Sequence, residues 1–319
     1  MFFLLVFLIA RKGASVSGAA SGTMNISDYA QYKETNIQKH ERFAFNLYFC
    51  TIPLDFERVA LHWHDEIELI FIKKGRARVT LGLLSYAAEA GTILIAVPGE
   101  LHAIEWDDER TPLEYENIIF SPSILEAPDA DWCRNSFLDP LRLGHLHLPK
   151  ILVPGTELHE SALPYLMAID KASGLRQEGY PLQIRGYLLL LFHLLFQHRS
   201  KTPLAEADSR DTERVKTAIT YIREHYAEQL RLPEAAQVTG YSVPHFSRFF
   251  KRYTGQTFVE YLTDYRLTAA AQLLSQSSTS ISDVAVAVGF DNFSYFCRLF
   301  RKKYQLSPKQ YRQCAVCPA

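Results

Sequence analysis

Leu232-Pro-Glu-Ala-Ala-Gln-Val-Thr-Gly240 and Ile281-Ser-Asp-Val-Ala-Val-Ala-Val-Gly289 are two copies of one unit, 49 positions apart. Beyond the glycine the offset becomes 50, so that Phe246 matches Phe296, Arg248 matches Arg298, Phe250 matches Phe300 and Lys251 matches Arg301. Each copy opens with a short amphipathic helix containing an alanine, Ala236 or Ala285. That helix stops at a glycine able to take the left-handed backbone a sharp exit needs. A second helix follows, over 244–253 or 293–304. Its apolar positions, Phe246, Phe249 and Phe250 or Phe296, Leu299 and Phe300, fall on one side at helical spacing. The other side presents Ser247, Arg248, Lys251 and Arg252 in the first copy, and Ser294, Cys297, Arg298, Arg301 and Lys302 in the second. This is the pattern of a helix-turn-helix, in which the first helix buttresses a second that enters the major groove. Arginine suits guanine edges, whereas lysine and serine suit phosphates. A helical bundle with solvated charged stripes gives such a pattern once. Two copies joined by a helix from near Phe258 to near Leu274 argue against it. That helix spans ~25 Å at ~1.5 Å per residue, which suits two reading helices set near the ~34 Å repeat of successive major grooves.

The charge distribution points the same way. The 319 residues have a formal net charge of −1, but residues 1–209 hold 19 Lys+Arg against 26 Asp+Glu, and residues 210–319 hold 15 against 9. Nine of the 11 histidines lie in the first part. An acidic, histidine-rich front joined to a basic rear fits a sensor or catalytic module attached to a polyanion-binding one. The length predicts about two domains at ~100–200 residues each. With 48% hydrophobic and 22% charged residues, disordered and collagenous classes are excluded. Five cysteines make no disulfide framework in so long a chain and favour a reducing cytoplasm. No apolar run approaches the ~20 residues needed to span a bilayer, so no membrane partner is expected. The apolar run 2–10 is followed, not preceded, by Arg11-Lys12, the reverse of a secretory signal. Residues 1–23 are therefore read as a non-native or disordered extension with Met24 the natural first residue; a membrane or export segment is the other reading.

Between 43 and 120 the periodicity is two, in short β-branched and aromatic runs broken by Gly, Pro and Asp. Strands are predicted over 66–73, 76–81, 92–96 and 114–120, with Lys74-Gly75 at a tight turn. Beyond Glu157 the period lengthens, and helices are predicted over 161–172 and 181–198, the second apolar on nearly every side and so fitted to a core or an oligomer interface. The expected organisation is multi-domain: an all-β effector-binding barrel over 24–156, helical dimerisation elements over 157–199, a linker over 200–211, an all-α double helix-turn-helix domain over 212–312, and a tail over 313–319.

Residues 212–312 resemble the DNA-binding domain of the AraC/XylS family of bacterial transcriptional regulators. The matching text is Val284-Ala-x-x-x-Gly289-Phe290, Asn292-Phe-Ser-Tyr-Phe-Cys-Arg298-x-Phe300-Arg-Lys-x-Tyr304 and Leu306-Ser307-Pro308-x-x-Tyr311-Arg312. Arg266-Leu-x-x-Ala270-x-x-Leu273-Leu274 resembles the family's linker helix. Gln305 stands where the family usually has Gly. The resemblance implies base-facing positions at Pro244, Ser247 and Arg248 and at Ser294, Cys297 and Arg298, with His245, Asn292 and Tyr295 completing the DNA-binding set. Pro244 donates no hydrogen bond, so the first reading helix is expected to sense shape and phosphates more than bases.

In the front domain, His62-x-His64-x3-Glu68-x6-Gly75 and Gly91-x7-Gly99-x2-His102 resemble the two motifs of the cupin family. The second motif departs from the pattern, with Val97 at the Pro position, Pro98 one place later, and Trp106 at the usual Asn position. In an extended strand, residues of like parity share a face, so His62, His64 and Glu68 can point together into a barrel. With His102 they suit a divalent transition metal. The same four side chains also fit direct contacts to an effector, or a structural hydrogen-bond network. Trp63 and Trp106 are candidate stacking surfaces for a sugar. The resemblances together imply a cytoplasmic, dimeric, non-enzymatic regulator, usually an activator, with double-stranded DNA, a small polar effector (a sugar favoured) and RNA polymerase as partners. A cupin metalloenzyme, such as a dioxygenase or isomerase with an appended DNA-binding domain, is the alternative; an architectural DNA-binding protein is a third.

Overall fold

The computed structural model describes residues 43–55, 57–108, 110–126, 132–200 and 206–316; the expectation for residues 1–23 lies outside them. The chain forms two compact units divided between Ser209 and Arg210.

The first unit contains two antiparallel sheets. The strands are β1 (Phe45–Ile52), β2 (Arg58–His62), β3 (Ile67–Lys74), β4 (Arg76–Leu81), β5 (Leu84–Glu89), β6 (Ile93–Ala96), β7 (His102–Trp106), β8 (Leu113–Phe120) and β9 (Ile151–Leu152). One sheet has the order β1-β8-β3-β6-β9 and the other β2-β7-β4-β5. The turn between β3 and β4 falls at Gly75, as expected. Its φ is +80°, and a Cβ there would lie 2.7 Å from the Pro112 carbonyl oxygen, so only glycine fits.

The helices α1 (Glu157–Leu175) and α2 (Tyr180–Gln197) cover the five-stranded sheet. Ile67, Leu69 and Phe71 of β3 join one apolar core with Ala162, Leu166 and Ile169 of α1 and Ile184, Leu188, Leu191 and Leu195 of α2. Alternation turns Glu68, Ile70 and Ile72 to the barrel interior. Both faces of β3 are thus buried, which is why Ile67–Ile72 reads as an apolar run broken only by Glu68. β4 belongs to the other sheet and alternates, with Arg76 and Arg78 exposed and Ala77, Val79 and Leu81 buried. Of the strands not singled out in the sequence, β2, β5, β7 and β9 are short, polar or interrupted, whereas β1 is a full eight-residue strand paired along its whole length with β8. α1 begins earlier than expected because the Thr156 hydroxyl accepts from the His159 N–H and caps it.

The second unit is helical: α3 (Glu206–His225), α4 (Leu232–Val238), α5 (Val243–Thr254), α6 (Phe258–Gln276), α7 (Ile281–Ala287), α8 (Phe293–Tyr304) and α9 (Pro308–Val316). α3 starts inside the stretch read as the linker 200–211, which corrects that boundary. No strongly apolar residue occurs between Ala207 and Val215, so no helical period shows there. The pairs α4–α5 and α7–α8 are the two helix-turn-helix units, and α6 joins them. Thr257 and Glu260 form a reciprocal capping box that starts α6. At the second turn Gly289 has φ +88°, and a Cβ would approach within 2.8 Å of the Tyr226 carbonyl oxygen. That oxygen accepts a 2.7 Å hydrogen bond from Arg266 Nε, so glycine at this turn lets α6 and the end of α3 come together. Phe246, Phe249, Phe250, Phe296 and Phe300 are buried as expected, whereas Leu299 is only half-buried.

Candidate functional site

The barrel cluster is assembled from three strands. β2 ends at His62, which stands opposite His102 at the start of β7. The chain then passes through Trp63 and His64 before β3 delivers Glu68. The four side chains each offer a ligand atom, all within 4.8 Å of one another. Glu68 Oε2 lies 2.8 Å from His64 Nε2 and 3.1 Å from His102 Nε2. The other ring nitrogens are held by backbone carbonyls: His62 Nδ1 by Ala60 at 2.9 Å, His64 Nδ1 by Glu66 at 3.2 Å and His102 Nδ1 by Glu100 at 2.8 Å.

A neutral imidazole carries one N–H, yet both nitrogens of His64 and of His102 face oxygen acceptors. One N–H cannot serve both contacts of either ring, and a cation held on the Nε2 side would relieve this. Burial by itself would raise the Glu68 carboxyl, but His102 and His64 outweigh it and hold the group well below the usual carboxylate range. At His102, burial works downward and the Glu68 carboxylate overrides it, raising the imidazole. His62 is lowered by burial and then by the charge of His102. Glu68 Oε1 is buried without a hydrogen-bond partner. Imidazoles steered by carbonyls toward one anionic carboxylate with a spare oxygen are the donor set of a divalent transition metal, and the residues present fit such an ion.

The two tryptophans are less committed. Trp63 and Trp106 are half-buried, and the Trp106 indole N–H donates to the Thr111 carbonyl at 2.9 Å. Two residues that sequence reasoning passed over, Tyr115 and Asn117 of β8, also face the barrel interior and are buried. The sequence alone gives them little signal, because Glu114 and Glu116 alternate with them along the strand.

In the second unit, Pro244, His245, Arg248, Lys251 and Arg252 on α5 are exposed, as are Ser294, Tyr295, Arg298, Arg301 and Lys302 on α8. Among the described residues none of Arg248, Lys251, Arg298, Arg301 and Lys302 is in an ion pair. Their charge is therefore available to phosphates. Lys303, one residue beyond, is instead taken by Asp264 at 2.6 Å. Three expected contacts differ in detail. Ser247 and Cys297 are half-buried, Cys297 packing against the second core. Asn292 spends its side-chain oxygen on the Tyr295 N–H at 2.8 Å, capping α8. Arg298 lies with its guanidinium carbon 5.3 Å from the Tyr295 ring centre, so the ring braces this exposed arginine.

A histidine-lined barrel carried with a double helix-turn-helix defines a ligand-binding transcriptional regulator. Comparison with known proteins agrees: the family described as AraC-like ligand binding domain matches residues 47–139, and that described as helix-turn-helix domain matches residues 235–313. The MmsAB operon regulatory protein of Pseudomonas aeruginosa is 33% identical over 266 residues, 80% of this chain and 78% of that protein. The uncharacterized HTH-type transcriptional regulator YdeC of Bacillus subtilis is 26% identical over 258 residues, 80% of this chain and 86% of that protein. The HTH-type transcriptional activator RhaS of Klebsiella pneumoniae is 25% identical over 254 residues, 79% and 87% of the two chains. The chain belongs to the AraC family of transcriptional regulators.

Proposed function

We propose that this regulator is a non-enzymatic transcriptional activator that works as a homodimer in the cytoplasm, engages RNA polymerase, and responds to a small polar effector, a sugar favoured, bound in the barrel. The observation that carries this reading is the pair of uncompensated basic faces on α5 and α8, in a chain whose other unit converges four metal-competent side chains on one point. The relative described as an activator supports the sign of the response. The apolar residues that α1 and α2 leave exposed, Met167, Leu175, Leu182, Leu189 and Leu190, support a dimer, because a second copy would cover them. No described helix is long and apolar enough to cross a membrane, and a DNA partner supports a cytoplasmic location.

His62, His64, Glu68 and His102 would hold a divalent transition metal, which supplies a Lewis-acidic point for an effector oxygen. The backbone carbonyls fix the three rings, and Glu68 balances the charge. Effector binding would differ between two arrangements of the dimer and so shift the population that sets the DNA-binding units correctly. Transcription from a reporter under a selected operator, with and without candidate effectors, tests this. Effector-dependent activation is expected. Turnover of a substrate by the full chain loaded with Fe(II), Mn(II) or Zn(II) would favour the metalloenzyme instead.

A further inference from the structure

Each reading helix is held near both ends by the long helix that precedes its motif, and the first is held through tyrosines. Tyr241, in the turn before α5, forms a ladder with Phe249 and Tyr253 of α5, the ring centres 4.9 Å apart at each step. α3 closes both ends of that ladder. Arg214 Nη1 donates to the Tyr241 hydroxyl at 2.7 Å, with its guanidinium carbon 4.6 Å from the ring centre. The Tyr253 hydroxyl donates to Asp211 Oδ2 at 2.6 Å. Asp211 and Arg214, one turn apart in sequence, share a face of α3. His245, exposed on α5, packs against Tyr241 with ring centres 4.1 Å apart, so the bracket reaches a residue of the expected DNA-binding set.

The second copy carries the same bracket in different chemistry. Tyr253 matches Lys303 at the offset of 50, and Lys303 is tied to Asp264 of α6 at 2.6 Å. Tyr241 matches Phe290 at the offset of 49, and Arg266 of α6 lies with its guanidinium carbon 5.9 Å from that ring centre. In both copies an aspartate of the supporting helix holds the last turn of the reading helix, and an arginine holds the ring at the turn before it. Apolar packing is non-directional and lets a helix roll or slide slightly. A directional bond near each end does not, and hydrogen bonds to base edges tolerate little misplacement. We propose that Asp211 and Arg214 are positioning residues for the first reading helix. Through Tyr253 and Tyr241 they hold α5 at the roll its base contacts need, as Asp264 and Arg266 do for α8, and neither needs to touch DNA itself. The proposal rests on the reading faces assigned above.

The test uses the full chain and an operator obtained by selection from random DNA. Three duplexes are compared: the intact operator, and the operator scrambled in one half or in the other. Tyr253→Phe removes one hydroxyl and keeps the ladder, and Asp211→Leu removes the acceptor. Asp211→Asn keeps an oxygen that can accept and is the conservative control. Tyr253→Phe and Asp211→Leu are each expected to lose about 5–50-fold on the intact operator and on one half-scrambled duplex. On the other half-scrambled duplex the loss should stay under about twofold, because the contact that α5 makes is already gone there. The double variant should lose no more than either single one, and Asp211→Asn should remain within about twofold of the wild type. Lys303→Met, normalised to random duplex to remove the effect of its charge, should spare the opposite half-scrambled duplex. A substitution that only weakens the fold lowers all three affinities by one factor. Equal losses on the three duplexes, or none, therefore overturn the proposal and leave the reading faces standing. A wild type that binds none of the three overturns both.

Discussion

His102 stands between two oxygens, its Nε2 3.1 Å from Glu68 Oε2 and its Nδ1 2.8 Å from the Glu100 carbonyl. One imidazole proton cannot serve both, and a divalent metal held by His62, His64, Glu68 and His102 would remove the conflict. Protein purified without chelators should therefore carry close to one divalent metal ion per chain, and His64→Ala should lose it. Elemental analysis checks this. Metal-free wild type with a full effector response would rule the metal out.

Glu116, on the helix-covered face of the five-stranded sheet, gives a pH-dependent expectation. Burial, working against the nearby Lys73 and with Asp170, raises its carboxyl from 4.5 to about 7. Between those values the folded state keeps a proton that the unfolded state has released, so this group's contribution to stability falls as pH rises through the window. Glu116→Gln should flatten that fall and gain about 1–2 kcal/mol at pH 8 relative to pH 4.5. Denaturation of both proteins across the window measures it; parallel stability curves would refute the assignment.

Gln305 ends α8 in the left-handed conformation, at φ +56°. Its place in the turn was marked in the sequence as a departure from the family's glycine, and the backbone carries the consequence. Gln305→Gly should stabilise the second unit by about 1 kcal/mol. Thermal melting of the full chain is the readout, and a loss of stability would count against the strain.

If two copies pair through the exposed side of α2, as proposed, Leu189→Asp should leave a monomer at micromolar concentration without unfolding the barrel, since Leu189 is 44% exposed. Sedimentation analysis decides it. An unchanged dimer would move the interface elsewhere.

Much of this was legible in the residues. The second helix-turn-helix could be placed to the residue, because its glycine, its phenylalanine ladder and its arginines recur in the first copy at a fixed offset. The four-residue barrel cluster was legible from the two cupin-like motifs, with strand parity supporting His62, His64 and Glu68. Other features depend on packing. Cys297 and Ser247 sit at the edge of the outward face, where spacing does not say how far a neighbouring helix reaches. Asn292 is a cap as well as a candidate contact, and only the hydrogen bond to Tyr295 shows where its oxygen goes. Asn117 stands out only once β8 is known to be buried on both faces, and α3 begins in a stretch too polar to show a period.

The central claim is that the outer faces of α5 and α8 read DNA, and one set of titrations tests it. Wild type, Arg298→Ala and Lys251→Ala are titrated against the selected operator and against random duplex over a range of salt concentrations. Arg298→Ala should cost about 1–3 kcal/mol on the operator and relax preference at one base pair. Lys251→Ala should weaken both DNAs alike and flatten the salt dependence. Equal losses on both DNAs for Arg298→Ala would misplace the reading face, and an absence of salt-sensitive binding by the wild-type chain would contradict the account itself.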